Sequence, residues 1–184
     1  MARLVPLAIA FLLGAANAAA PQSLATEPAA SPQIRIEDSR LAALLADGVR
    51  RSPTLRSLVD RVEGGRVFVF VQAVRWLPGE AVGHLTWIGA SPPNRFVRIS
   101  IKTHARPNDL LASLAHELQH VVEVIGAPWV SDDQSLLALY RLIGHPTNGV
   151  QSSWDSDDAR WMGDQVLREL KGLATGAAAA ADER

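Results

Sequence analysis

His116, Glu117 and His120 are the residues of this chain whose types and spacing could do chemistry. They stand in the stretch His116-Glu117-Leu118-Gln119-His120. Two histidines four apart on a helix lie on one face about one turn along, so both imidazoles can reach a single Zn2+ at roughly 2.0 to 2.1 Å. Glu117, next to the first histidine, points beside such an ion and can take a proton from an attacking water. With five His and eight Glu in 184 residues, chance yields this spacing in well under about 1% of shuffled chains, so it carries information.

The elements that must position these residues can be read outward from them. Asn108 is able to cap a helix that starts at Arg106-Pro107-Asn108-Asp109, and Asp109 suits the positive end of its dipole. Leu110, Leu111, Leu114, Leu118, Val121, Val122 and Ile125 make its apolar stripe, and Gly126 and Pro128 stop it. The motif is thus expected mid-helix, on the polar side. Just before it, Val97, Ile99 and Ile101 alternate with Arg98, Ser100 and Lys102, which predicts a strand with one dry face over Phe96 to Lys102. Ala81 to Ile88 is a second strand, around His84 and Trp87, joined to the first by a hairpin-like loop at Gly89 to Asn94. The unbroken run Val67 to Val71 predicts a strand buried on both faces.

Two helices come first. Asp38 and Ser39 can cap one that carries Leu41, Leu44, Leu45 and Val49, and Ser52-Pro53 starts another that carries Leu55, Leu58, Val59 and Val62 up to Gly64-Gly65. A last helix carries Trp161, Met162, Val166 and Leu170. The order helices, strands, helices reads as an α+β fold with about three strands.

Composition bounds the rest. A balance of 18 basic against 19 acidic residues excludes a strongly cationic nucleic-acid binder, and 20% charged residues are too few for a disordered chain. Leu4 to Ala16 is an apolar run too short to span a bilayer comfortably, and Ala16-Asn17-Ala18 and Ala18-Ala19-Ala20 offer small-residue cleavage sites. Residues 1–20 are therefore read as a secretory signal peptide that leaves no stable membrane anchor, and the protein as exported to the periplasm or outside a bacterial cell. Residues 21–33, rich in Pro, Ala and Ser, form a flexible leader, residues 34–171 the folded domain, and residues 172–184 a disordered tail. With no cysteine, a His and carboxylate site is the metal chemistry open to the chain.

On the motif and its setting, the sequence resembles the zincin metallopeptidases, and among them the small gluzincin-like members. It also looks like exported bacterial proteins in which the same His-Glu-Leu-Gln-His stretch is followed by Val-Glu. The resemblance covers the strand from Phe96, the motif helix to Ile125 and the helical region to about Leu170. It implies Zn2+ as cofactor, a peptide or protein as substrate, a zincin-like α+β fold whose small mixed or antiparallel sheet has the motif helix packed beneath it and an edge strand beside that substrate, and a third ligand from a later helix. Asp155 is the choice for that ligand, because Trp154-Asp155-Ser156 resembles the aromatic, acid, hydroxyl pattern of the corresponding helix with Asp in place of Glu. Asp158 and His145 are the substitutes. Glu123, seven residues after His116 and so about 10 Å along the helix, is better placed to orient a ligand histidine than to reach the ion. Glu123 and Gly126 stand where metzincins carry a glycine and a third histidine, which sets that subclass aside. Tyr140 and His145 are candidate donors to an oxyanion. Two functions are open: a secreted zinc hydrolase with Glu117 as general base, or a catalytically inactive zinc-binding or protein-interaction domain.

Overall fold

The chain folds as α+β, with five helices, a four-stranded mixed sheet and a two-stranded hairpin among residues 32–78, 81–147 and 154–172, those described by this computed structural model. The expected export segment, all but the end of the expected leader and nearly all of the expected tail lie outside the described residues. In chain order the elements are β1 (Ile34–Ile36), α1 (Ser39–Arg51), α2 (Pro53–Glu63), β2 (Val67–Val74), β3 (Gly83–Ser91), β4 (Asn94–Lys102), α3 (Pro107–Gly126), α4 (Asp133–Ile143), β5 (Gly144–Pro146), β6 (Trp154–Ser156) and α5 (Asp157–Leu170). No helix among the described residues is long and apolar enough to cross a membrane.

Local chemistry sets most of these boundaries. The Asp38 carboxylate accepts from the backbone N–H of Arg40 and Leu41, each at 2.9 Å, and so starts α1. Ser52 accepts from Leu55 N at 3.0 Å, with Pro53 at the first helical position of α2. The helix α3 begins two residues earlier than a cap at Asn108 predicts. Proline at position 107 has no N–H to lose and a helical φ, and it forces Arg106 into extended backbone as the cap residue. Asn108 is then inside the helix, and its amide donates to Leu170 O at 3.3 Å instead.

The sheet runs in the order β1-β2-β4-β3, with β1, β2 and β4 parallel and β3 antiparallel at the edge. Its dry face is made by Val67, Val69 and Val71 of β2, Leu85 of β3, and Val97, Ile99 and Ile101 of β4. These side chains form one core with Leu111, Leu114, Leu118 and Val121 of α3. Each fully buried aliphatic side chain contributes about 1.5 to 3 kcal/mol, so the sheet and α3 together hold the molecule.

Two expectations need correction. The strands number four plus a hairpin rather than three, since β1, β5 and β6 have three residues each, too few for alternation to show. Nor is β2 buried on both faces: Val67, Val69 and Val71 are buried, whereas Phe68 and Phe70 are only half-buried on the other side. There Phe68 stacks on Phe96 with ring centroids 5.4 Å apart, and the Arg35 guanidinium lies 4.9 Å over Phe68. An arginine and a second ring cover the aromatic face where a further layer was expected.

Candidate metal centre

The motif lies in the middle of α3, and the polar side predicted for it is not a wet side. Glu117 and His120 are each 5% exposed. β3 and α5 pack against α3, and Tyr140 of α4 meets the His120 ring edge-on at 5.0 Å. A charged residue is rarely buried like this unless it is paired or binds a metal.

Asp155 of β6, the strand that leads into α5, completes the cluster. Its Oδ1 lies 3.1 Å from His116 Nε2 and 3.5 Å from His120 Nε2. Three donors at about 2.0 to 2.2 Å from one tetrahedral ion are separated by roughly 3.3 Å, so both separations suit a shared cation. The three ligand atoms lie within 4.8 Å of one another. Asp155 Oδ1 is buried without a hydrogen-bond partner, since neither short imidazole contact is aligned as a hydrogen bond. That arrangement is expected of donors aimed at a common point rather than at one another. His116, His120 and Asp155 thus form a group that could hold a metal ion, and its nitrogen and oxygen donors suit zinc among others.

Neighbouring side chains fix the donors. Glu123 Oε2 lies 2.8 Å from His120 Nδ1, which holds the proton on Nδ1 and makes Nε2, the nitrogen that faces Asp155, the one that could give up its proton to an ion. The other Glu123 oxygen accepts from Ser156 Oγ at 2.5 Å. Glu123 therefore orients the His120 ring. Arg160 Nε donates to Asp155 Oδ2 at 2.8 Å, so Asp155 has one oxygen left for an ion. Burial opposes charge on Asp155, but the two imidazoles and Arg160 outweigh it and hold the carboxyl well below the usual carboxylate range. Burial likewise opposes a proton on His120, yet with Asp155 and Glu123 beside it the pKa of the free imidazole rises to about 10.

Glu117 stands apart from this pairing. Burial pushes its carboxyl up, against the pull of the His120 and His116 rings, which makes it a better proton acceptor than a surface glutamate. Gly83 at the start of edge strand β3 is pressed against it: a Cβ there would sit 2.5 Å from Glu117 Oε1 and 2.6 Å from Cγ. Gly144 of β5 backs onto Asp155 in the same way, with a Cβ falling 2.7 Å from the Asp155 carbonyl oxygen. The motif and Asp155 open on a cleft of about 1110 Å3, lined among others by Leu85, Trp87, Leu136, Trp154 and Arg160.

Of the other residues singled out from sequence, Tyr140 lines this cleft and its hydroxyl donates to His120 O at 3.4 Å. Burial, and then the Glu123, Glu117 and Asp155 carboxylates, raise its pKa well above the ordinary value, so it remains a donor. His145 is not brought to the cleft: it lies on β5, its side chain 63% exposed, 3.4 Å from Asp157. Asp158 is exposed in the first turn of α5. Sequence reasoning missed Gly83 and Arg160, and it used Ser156 only as part of the pattern around Asp155, without foreseeing its bond to Glu123. No protein-family profile, curated protein or solved structure matches the chain.

Proposed function

We propose that the protein is an exported zinc-dependent hydrolase with a zincin-like site, acting on peptide bonds in the periplasm or outside the cell. The observation that supports it best is the convergence of His116, His120 and Asp155 beside a buried Glu117 at the wall of an open cleft. Zinc held there would supply a Lewis acid that polarises a carbonyl and lowers the pKa of water.

The chain's own residues do the rest. Glu117, its proton affinity raised by burial, takes the proton of the attacking water and returns it to the leaving amine. Edge strand β3 offers unpaired backbone groups to an extended substrate, and Leu85, Trp87, Leu136 and Trp154 give its side chains apolar contact. Tyr140 is the donor assigned to the oxyanion, giving up a long bond to His120 O in order to act.

The test is Glu117→Gln. It is expected to keep one equivalent of zinc and to lose cleavage of a broad peptide library. A wild type that binds zinc and cleaves nothing in that library overturns the hydrolase reading in favour of a zinc-binding domain without turnover.

A further inference from the structure

Both oxygens of Glu123 are spent on different halves of the site. Oε2 meets His120 Nδ1 on its own helix at 2.8 Å, and Oε1 accepts from Ser156 Oγ, on the residue after Asp155, at 2.5 Å. The Ser156 hydroxyl is held from both sides, since its proton goes to Glu123 and one of its lone pairs accepts from Ala159 N at 3.1 Å as the cap of α5. The Glu123 and His120 side chains are each 7% exposed and Ser156 is 2% exposed, so water cannot substitute for either contact. Behind Asp155 the backbone of Gly144 leaves no room for retreat.

We propose that Glu123 is a positioning residue that sets two ligands at once: it fixes the tautomer and ring of His120, and through Ser156 it fixes how far Asp155 stands from the motif helix. Asp155 belongs to a three-residue strand, and its carboxylate must come within about 2.2 Å of an ion held by α3. The Glu123 to Ser156 bond is the tie next to Asp155 that reaches across to that helix. A glutamine at 123 cannot keep both bonds as they stand: with its oxygen on the His120 N–H, its amide can only donate to the Ser156 hydroxyl, whose own proton then loses its buried acceptor.

This inference rests on the metal reading, and zinc titration separates the two. Wild type, Glu123→Gln, Ser156→Ala and Ser156→Thr are each titrated with Zn2+ against a competing chelator, with folding checked by circular dichroism. Glu123→Gln is expected to weaken zinc binding by about 10 to 100-fold. Ser156→Ala is expected to weaken it by a smaller factor, Ser156→Thr to restore it, and the double variant to lose less than the product of the single losses. The visible spectrum of the Co2+-loaded protein should shift in Ser156→Ala, which a lost helix cap alone would not cause. A wild type that takes up no zinc overturns the metal reading. A wild type that binds zinc while Glu123→Gln and Ser156→Ala bind it equally well overturns this inference alone, and so does a loss confined to Glu123→Gln.

Discussion

Replacing Gly83 by Ala puts a methyl group 2.5 Å from Glu117 Oε1, where ordinary contact begins at 3.4 Å. Something must move by about 0.9 Å. The strand resists, because Gly83 is in register with Ile101 of β4, whose side chain is fully buried. The Glu117 carboxylate, at the end of a flexible side chain, gives way instead. Misplacing a reacting group by about 1 Å costs on the order of 100-fold, so kcat/KM should fall by about that factor, or roughly 2.7 kcal/mol of transition-state stabilisation. Zinc affinity should not change, since the three nearest atoms to the new methyl all belong to Glu117 and none to a ligand. Stability should change little, the clash being offset by the roughly 0.5 to 1 kcal/mol that a strand gains when alanine replaces glycine. The assay is steady-state cleavage of a peptide drawn from the library, run beside a zinc titration. Full activity in Gly83→Ala would refute the placement of the base, and loss of zinc along with activity would show that Gly83 acts on the whole site.

The remaining predictions concern pH and packing. In the zinc-free protein the His120 pKa stands at about 10, above the unfolded value of about 6.5. Its charge therefore stabilises the fold fully below the lower value, and that contribution is lost as pH rises through the upper one. Zinc takes the proton's place, so the gain in unfolding free energy on adding zinc, read by urea unfolding, should grow across that window by at most about 1.4 kcal/mol per pH unit; a gain flat with pH contradicts it. Arg95→Ala should cost about 2 kcal/mol in urea unfolding, because its guanidinium closes the end of α3 by donating to Val124 O at 2.7 Å and Ala127 O at 2.9 Å. Leu114→Ala, at a fully buried position facing the sheet, should cost about 2 to 5 kcal/mol by the same measurement.

How much of this the sequence could tell depends on how far each feature reaches along the chain. His116, Glu117 and His120 were legible because a helix brings residues four apart together without help from the rest of the fold. The α1 and α2 caps were legible for the same local reason. Asp155 is 35 residues beyond His120, and spacing alone did not separate it from Asp158 or His145; only the likeness of Trp154-Asp155-Ser156 to a known pattern singled it out. In β2 the Val and Phe residues are all apolar, so hydropathy could not show that valine faces the core and phenylalanine the arginine-covered side. Close approaches leave no trace in periodicity either. Nothing around Gly83 announces that the Glu117 carboxylate rests against it, and nothing around Arg95 announces that it closes a helix that begins 12 residues later.

The most direct test of the centre is zinc binding by Asp155→Ala beside wild type. Two histidines of the motif and one carboxylate from β6 predict one equivalent of tightly bound zinc in the wild type. With Asp155 gone, they predict a loss of affinity of at least about 100-fold in a protein that still folds. Wild-type affinity in Asp155→Ala, or no zinc uptake by the wild type, would contradict the site.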